Sequence, residues 1–176
     1  NLASNILDGG SGSDLIVGAA GDDVISGGLG ADTISAGIGD DVIAGDGGAD
    51  IITAGAGKDK ITGGTGADTI SGDAGDDVIA GDDGADIISG GSGDDILTGG
   101  AGNDILDGGA GDDIAIYAGN MADYKIDVGR EGLTRITDLN SEDGDEGVDT
   151  LSNVETARFA DGELTVTKDA DGEVRV

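Results

Sequence analysis

Cysteine, proline, histidine and tryptophan are absent from this 176-residue chain, and it holds only two tyrosines and one phenylalanine. Without cysteine there is neither a disulfide staple nor a thiol nucleophile. Without histidine no Ser-His-Asp arrangement can form, and with both missing a zinc ion lacks its usual ligands. Aromatics at 2 % leave few large side chains to offset the entropy of ordering the chain, so composition alone suggests disorder. Basic residues are scarce too: Lys+Arg number 8 against Asp+Glu 38, a formal net charge of −30. Nucleic acid and anionic membrane are polyanions and are excluded as partners; such a chain attracts cations. No run of about twenty apolar residues occurs, so no transmembrane helix is expected. No basic-then-apolar leader opens the chain either.

What is present is period. Aspartate recurs every nine residues at Asp14, Asp23, Asp32, Asp41, Asp50, Asp59, Asp68, Asp77, Asp86, Asp95, Asp104 and Asp113. Two residues before each stands a glycine: Gly12, Gly21, Gly30, Gly39, Gly48, Gly57, Gly66, Gly75, Gly84, Gly93, Gly102 and Gly111. Two residues after each stands an apolar residue, from Ile16 and Ile25 to Leu97, Leu106 and Ala115. The unit reads G-G-x-G-x-D-x-U-x, and twelve copies in register are no accident of composition. Asn5 and Leu7 fall nine residues before Asp14 and Ile16, so a degenerate copy precedes the regular ones. The chain thus begins almost inside the array, as expected of a segment cut from a longer protein.

Each nonapeptide divides into a six-residue turn, such as Gly63 to Asp68, and a three-residue strand, such as Thr69-Ile70-Ser71. Glycine suits the turn because the backbone there must take positive φ and bring its carbonyls together. Strand side chains alternate, so only the middle one faces inward. So short a strand is not stable alone, and successive turns must coil the chain into stacked parallel strands. The residue before the repeat aspartate supports two nonapeptides per coil. It is Asp22, Asp40, Asp76, Asp94 and Asp112 in one set and Ala31, Ala49, Ala67 and Ala85 in the other, with Lys58 and Asn103 as interruptions. Such alternation follows if odd and even turns lie on opposite edges of a flattened solenoid. The expected fold is all-β, a right-handed parallel β-roll of about six coils, roughly 25–30 Å long at about 4.8 Å between stacked strands.

The core of such a roll is one row of side chains per face, and two rows of like charge stack along its edges. A ligand that binds only the folded form must compensate. Calcium suits the residues, because it takes six to eight oxygens from carboxylates and carbonyls in flexible geometry, whereas magnesium demands a tighter octahedron. The unit resembles the calcium-binding nonapeptide of RTX, or haemolysin-type, proteins. That resemblance implies a secreted or cell-surface protein exported by a type I secretion apparatus, and a roll that is disordered without calcium. It implies an ion between turns 18 residues apart, held by the twelve repeat aspartates. Carbonyls would join them from the fourth-position glycines named above and from Gly10, Gly28, Gly37, Gly55, Gly64, Gly91, Gly100 and Gly109; Gly45 and Gly47 illustrate the contribution of a following turn. Six turns per edge leave five gaps, hence about ten Ca2+ ions. Ala36 and Ala54 replace the first glycine, a change that keeps the carbonyl.

Beyond Ala115 the register stops, since Asp123 lies ten residues after Asp113. Ordinary strands are expected at 114–117, 124–128, 134–137 and 163–166. The segment 147–162 resembles the one that closes RTX arrays, and the acidic stretch 138–147 reads as a loop, its Asp138-x-Asn140 lacking the rest of an EF-hand. A solenoid end exposes apolar rows and strand edges, so this tail is expected to be a cap. Residues 1–117 are then the roll and 118–176 the cap. The outward row Val24, Val42, Val78, Ile96 and Ile114 reflects β-propensity on a solvated face rather than a partner or ice surface. A monomer is expected, and no catalytic residue is assigned. Two functions remain open: a calcium-dependent folding and export module of a larger secreted protein, or a rigid segment of an adhesin or S-layer protein.

Overall fold

The computed structural model describes residues 3–129, 133–140, 146–168 and 174–175. Thirteen short strands wind through the repeats: β1 (Ile6–Asp8), β2 (Leu15–Ala20), β3 (Val24–Leu29), β4 (Thr33–Ile38), β5 (Val42–Gly47), β6 (Ile51–Ala56), β7 (Lys60–Thr65), β8 (Thr69–Ala74), β9 (Val78–Asp83), β10 (Ile87–Ser92), β11 (Ile96–Ala101), β12 (Ile105–Ala110) and β13 (Ile114–Ile116). Odd-numbered strands form one sheet and even-numbered strands the other. Within each sheet every neighbour is parallel and offset by 18 residues, as in Val24↔Val42 and Ile34↔Ile52. The chain is therefore a parallel β-solenoid of about six coils, with two nonapeptides per coil. The degenerate first copy takes its place too, Leu7 pairing with Ile25.

The strands are longer than three residues. Each regular one runs six, through the three positions after the aspartate and the first three of the next repeat, so that Gly28 pairs with Asp46 and Leu29 with Gly47. The turn shrinks to three residues, such as Gly30-Ala31-Asp32. The reason is stacking: inside a pile of identical coils, the glycine backbone finds partners above and below, which outweighs glycine's poor intrinsic strand preference. Glycine remains necessary where φ is positive, as at Gly28 (φ 102) and Gly30 (φ 119). A Cβ on Gly66 would lie 1.6 Å from the Gly48 carbonyl oxygen of the coil before.

Alternation then sorts the side chains. Ile25, Ile43, Ile61, Ile79 and Leu97 from one sheet face Ile34, Ile52, Ile70, Ile88 and Leu106 from the other, all of them buried. The next inward position is the first glycine of each repeat, or Ala36 and Ala54, both fully buried. The sheets can thus close on one another beside the isoleucine rows. Outward-facing Val24, Val42 and Val78 are half exposed.

The tail continues both sheets. After a 3₁₀ turn at Met121–Asp123 come β14 (Tyr124–Val128), β15 (Thr134–Asp138), β16 (Val148–Ser152), β17 (Thr156–Phe159) and β18 (Gly162–Thr165), then a two-residue ladder of β19 (Thr167–Lys168) and β20 (Val174–Arg175). Strand β16 stacks parallel on β12, with Leu106↔Leu151, and β17 stacks parallel on β13, with Ala115↔Ala157. The register that lapses after Ala115 therefore resumes in space at β16 and β17. Strands β15 and β18 then pair antiparallel with these and end the parallel stack. Tyr117, Tyr124 and Phe159 form a ring cluster with centroids 5.1–5.4 Å apart, in the same buried core as Ala115 and Ala157. Of the loop expected at 138–147, residues 141–145 lie outside the described residues.

Candidate metal centre

The repeat aspartates form one stack on each edge of the roll. Asp14, Asp32, Asp50, Asp68, Asp86 and Asp104 share one edge; Asp23, Asp41, Asp59, Asp77, Asp95 and Asp113 share the other. They are not a solvated face: from Asp23 onward each is at most 2 % exposed. In every one of these stacks Oδ1 accepts the backbone N–H of the aspartate one coil earlier, at 2.7–2.9 Å. Asn5 takes part as well, its N–H reaching Asp23 Oδ1 at 2.7 Å.

The second carboxylate oxygen has nothing. Oδ2 of all twelve aspartates, Asp14 through Asp113, is buried without a hydrogen-bond partner. Its surroundings repeat from coil to coil. The point where a Cβ on Gly27 would lie is 2.7 Å from Asp32 Oδ2 and 2.8 Å from the Gly45 carbonyl oxygen; for Gly63 the values are 2.5 Å to Asp68 Oδ2 and 2.7 Å to Gly81 O. Two acceptors, one from each of two successive coils, converge with no donor between them. Such an arrangement is costly in an apolar interior and is what a hard cation relieves. Among the described residues no three acidic side chains cluster as a metal-binding group.

Burial sets the electrostatics. It pushes the carboxyls of Asp41, Asp50, Asp59, Asp68, Asp86, Asp95 and Asp104 above the usual aspartate range, against the donated backbone N–H, with neighbouring carboxylates adding to the rise where they lie close. Asp77 and Asp113 are each pushed up to about 6 by the same causes. The roll without a cation therefore resists full ionisation of its own edge.

The glycines of both sets line the same turns. Apart from Gly84, each glycine at the second or fourth position has positive φ, and Ala19, Asp46, Asp73 and Asp82 adopt it where the second glycine is replaced. The alternation at the fifth position now has a cause. Asp22, Asp40, Asp76 and Asp94 each accept, through Oδ1, the N–H of the same position one coil later, at 2.8–3.1 Å. Lys58 interrupts that row and pairs through Nζ with Asp76 Oδ2 at 2.5 Å. On the other edge the position is Ser13 and then alanine until Asn103, whose Oδ1 takes the N–H of Val148 from the tail at 2.9 Å.

Sequence reasoning passed over Asp149 and Glu155. Asp149 Oδ1 accepts the Asp104 N–H at 2.9 Å, and Glu155 Oε2 accepts that of Asp113 at 3.0 Å, so both stand where a thirteenth and fourteenth aspartate would. A signal existed: Asp149 lies 36 residues, four whole repeats, after Asp113, with Gly147 two before it and Leu151 two after. Asp149 is buried and pushed up to about 7, chiefly by that burial.

No helix among the described residues is long and apolar enough to cross a membrane. A search of curated proteins gives no match. The family model described as RTX calcium-binding nonapeptide repeat matches residues 1–34, 26–61, 35–69, 54–88 and 80–115. These spans cover residues 1–115 without a break and coincide with the coils whose aspartates carry the unpartnered oxygens. The chain belongs to the RTX calcium-binding nonapeptide repeat family, whose β-roll is a structural, non-catalytic calcium-binding module.

Proposed function

We propose that this chain is a calcium-dependent folding module: it does not hold its fold without calcium, folds with calcium outside the cell, and supports the folding, stability and export of a larger secreted protein. The observation that carries this reading is the set of twelve buried, unpartnered Oδ2 atoms. In the unfolded chain each is hydrated; in the roll each has lost its water and gained no donor. Calcium between successive turns on an edge supplies the missing partner. The repeat aspartates hold it together with the first-position carbonyls that converge on Oδ2, such as Gly45 O, and the carbonyls of the second- and fourth-position glycines complete the set, about ten ions in all by the five gaps on each edge. A ligand that binds the folded form alone stabilises it by mass action, so folding follows free calcium. The chain stays extended in a calcium-poor cytosol, suited to passage through a type I secretion apparatus, and folds as a monomer on reaching the exterior. Residues 1–117 act as the metal-binding roll and 118–176 as its cap.

Circular dichroism of the chain in chelator at low salt, then with millimolar calcium, tests this. The expected result is a disordered spectrum that converts cooperatively to β. A β spectrum that survives chelation would sink the proposal.

A further inference from the structure

The two edges of the roll meet the tail differently. In the regular coils Oδ2 of an aspartate converges with the carbonyl of the residue stacked on the first glycine of its repeat, as Asp32 Oδ2 does with Gly45 O at Gly27. At the last coil of the Asp104 edge that pattern lapses: the three atoms nearest the point where a Cβ on Gly99 would lie all belong to Asp104. On the Asp113 edge it persists. The same point on Gly108 is 2.5 Å from Asp113 Oδ2 and closer still to the Asn153 carbonyl oxygen. Asp113 is fully buried, and its Oδ2 has no hydrogen-bond partner.

Three features of the tail place that carbonyl. Strand β16 stacks on β12 with Leu106↔Leu151 and Asp107↔Ser152, which brings Asn153 over Gly108. Asn153 has positive φ (50), a conformation that asparagine adopts more readily than most residues. Its side chain donates from Nδ2 to Asp107 Oδ1 at 2.7 Å. The residues that match Asp107 in earlier coils of that sheet are Ser35, Thr53, Ser71 and Ser89. The carboxylate that anchors Asn153 thus replaces them in the coil on which the tail lands.

Glu155 supplies the carboxylate of the following coil. Thr156 pairs with Ile114 as Ile114 does with Ile96, which leaves Glu155 in the place of a repeat aspartate. Its N–H donates to Asp113 O at 3.1 Å and its carbonyl accepts the Val166 N–H at 2.7 Å, so its backbone is held on both sides. Its Oε2 takes the Asp113 N–H at 3.0 Å. Burial first, and then the charges of Asp95, Glu155 and Asp94, push the Asp113 carboxyl up to about 6 against that N–H network. Only Val154 separates Glu155 from Asn153, where a regular repeat has four residues between its first glycine and its aspartate. The second- and fourth-position carbonyls therefore have no counterpart in this turn.

We infer that Asp113, Asn153 and Glu155 hold one further divalent cation at the junction of roll and tail, outside the gaps between regular repeats. This rests on the calcium reading above. Asp113 contributes Oδ2, Asn153 its backbone carbonyl and Glu155 its carboxylate. Water fills the places left by the missing glycine carbonyls, which a cation of flexible coordination accepts. With fewer protein oxygens and a half-buried Glu155, this ion is the last to bind and the first to leave.

The test uses the full chain, with equilibrium dialysis against calcium for the count and calcium anomalous scattering from crystals of the loaded protein for the position. Glu155→Gln, which keeps an oxygen for the Asp113 N–H, should bind one calcium ion fewer at saturation. Asp107→Ala, which leaves every proposed ligand in place but releases the Asn153 side chain, should weaken that one ion several-fold. Glu163→Gln, in the same tail and paired with Arg158, should leave the count unchanged. A Glu155→Gln variant with an unaltered count overturns the inference, as does a Glu163→Gln variant that loses an ion equally. Should Glu155→Gln fail to fold, the wild-type crystals decide: a peak beside Asp113 Oδ2 and Asn153 O supports the site, and peaks confined to the gaps between regular turns overturn it. A wild-type chain that binds no calcium overturns the calcium reading itself.

Discussion

Replacing Leu151 with alanine tests whether tail and roll fold as one body. Leu151 is 2 % exposed and stacks on Leu106, at the end of a buried row that runs back through Ile88, Ile70, Ile52 and Ile34 to Ile16. Neighbours above and below hold the coil spacing, so the space left by its three lost carbons cannot close. Leu→Ala in such a site costs about 2–5 kcal/mol, and about 3 kcal/mol is a reasonable middle. If about ten ions bind in the same cooperative step, that cost is shared at about 0.3 kcal/mol each, which raises the calcium midpoint about 1.7-fold. Ile61→Ala, of similar size in mid-roll, should move it by a similar factor. The assay is a calcium titration read by far-ultraviolet dichroism for the roll and by tyrosine dichroism for the cap. Both signals should shift together in both variants. A Leu151→Ala variant whose cap signal moves while the roll's midpoint stays put would refute the coupling and make the tail a separate domain.

Asp68→Ala should raise the calcium midpoint more than Asp113→Ala in the same titration, because Asp68 borders regular coils on both sides whereas Asp113 is followed by the tail; the N–H left without its acceptor, of Asp50 or Asp95, costs both variants alike, about 1–3 kcal/mol. Gly66→Ala should be far more damaging than Gly12→Ala. Both have positive φ (136 and 123), but only the first drives its Cβ into a stacked carbonyl, 1.6 Å away against nothing within 4 Å; thermal melts in calcium compare them. Deleting 118–176 should abolish cooperative calcium-driven folding although every repeat aspartate is kept, since Leu106 and Ala115 then lose Leu151 and Ala157. Folding of residues 1–117 with unchanged midpoint and steepness would show the tail to be a passenger.

The roll was legible because its rule is local and repeated. A nine-residue spacing fixes which side chain faces inward, and the fifth-position alternation between Asp22-type and Ala31-type residues reveals the coil of eighteen. Strand length was misread at the glycines. Gly27 and Gly28 look like turn residues when judged by propensity, and only the partners supplied by stacked coils make them strand. Asp149 and Glu155 were missed for another reason. The 117–147 insertion separates them from the array, and the shortened β16–β17 turn breaks the spacing between them, so reading outward from Asp113 in steps of nine meets Asp123 off register and stops. Asn103 was visible as an interruption of the alanine set. Its purpose depends on Val148, a residue that only the fold brings near.

A solenoid held only by neighbour contacts can fray from its ends coil by coil. The aspartate stacks work against that. Asp32 Oδ1 accepts the N–H of Asp14 in the coil before it, while its Oδ2 converges with the carbonyl of Gly45 in the coil after it. One side chain thus ties three coils, and a cation at Oδ2 bears on both junctions. On the Asp23 edge a second ladder runs the opposite way, Asp22 accepting from Asp40 one coil later and Asp76 from Asp94. On the calcium reading proposed above, losing one ion strands an oxygen at one junction and loosens the carboxylate that caps another. Coils coupled in this way are expected to open together, and the steepness of the calcium transition, more than its midpoint, is the quantity in which that coupling is read.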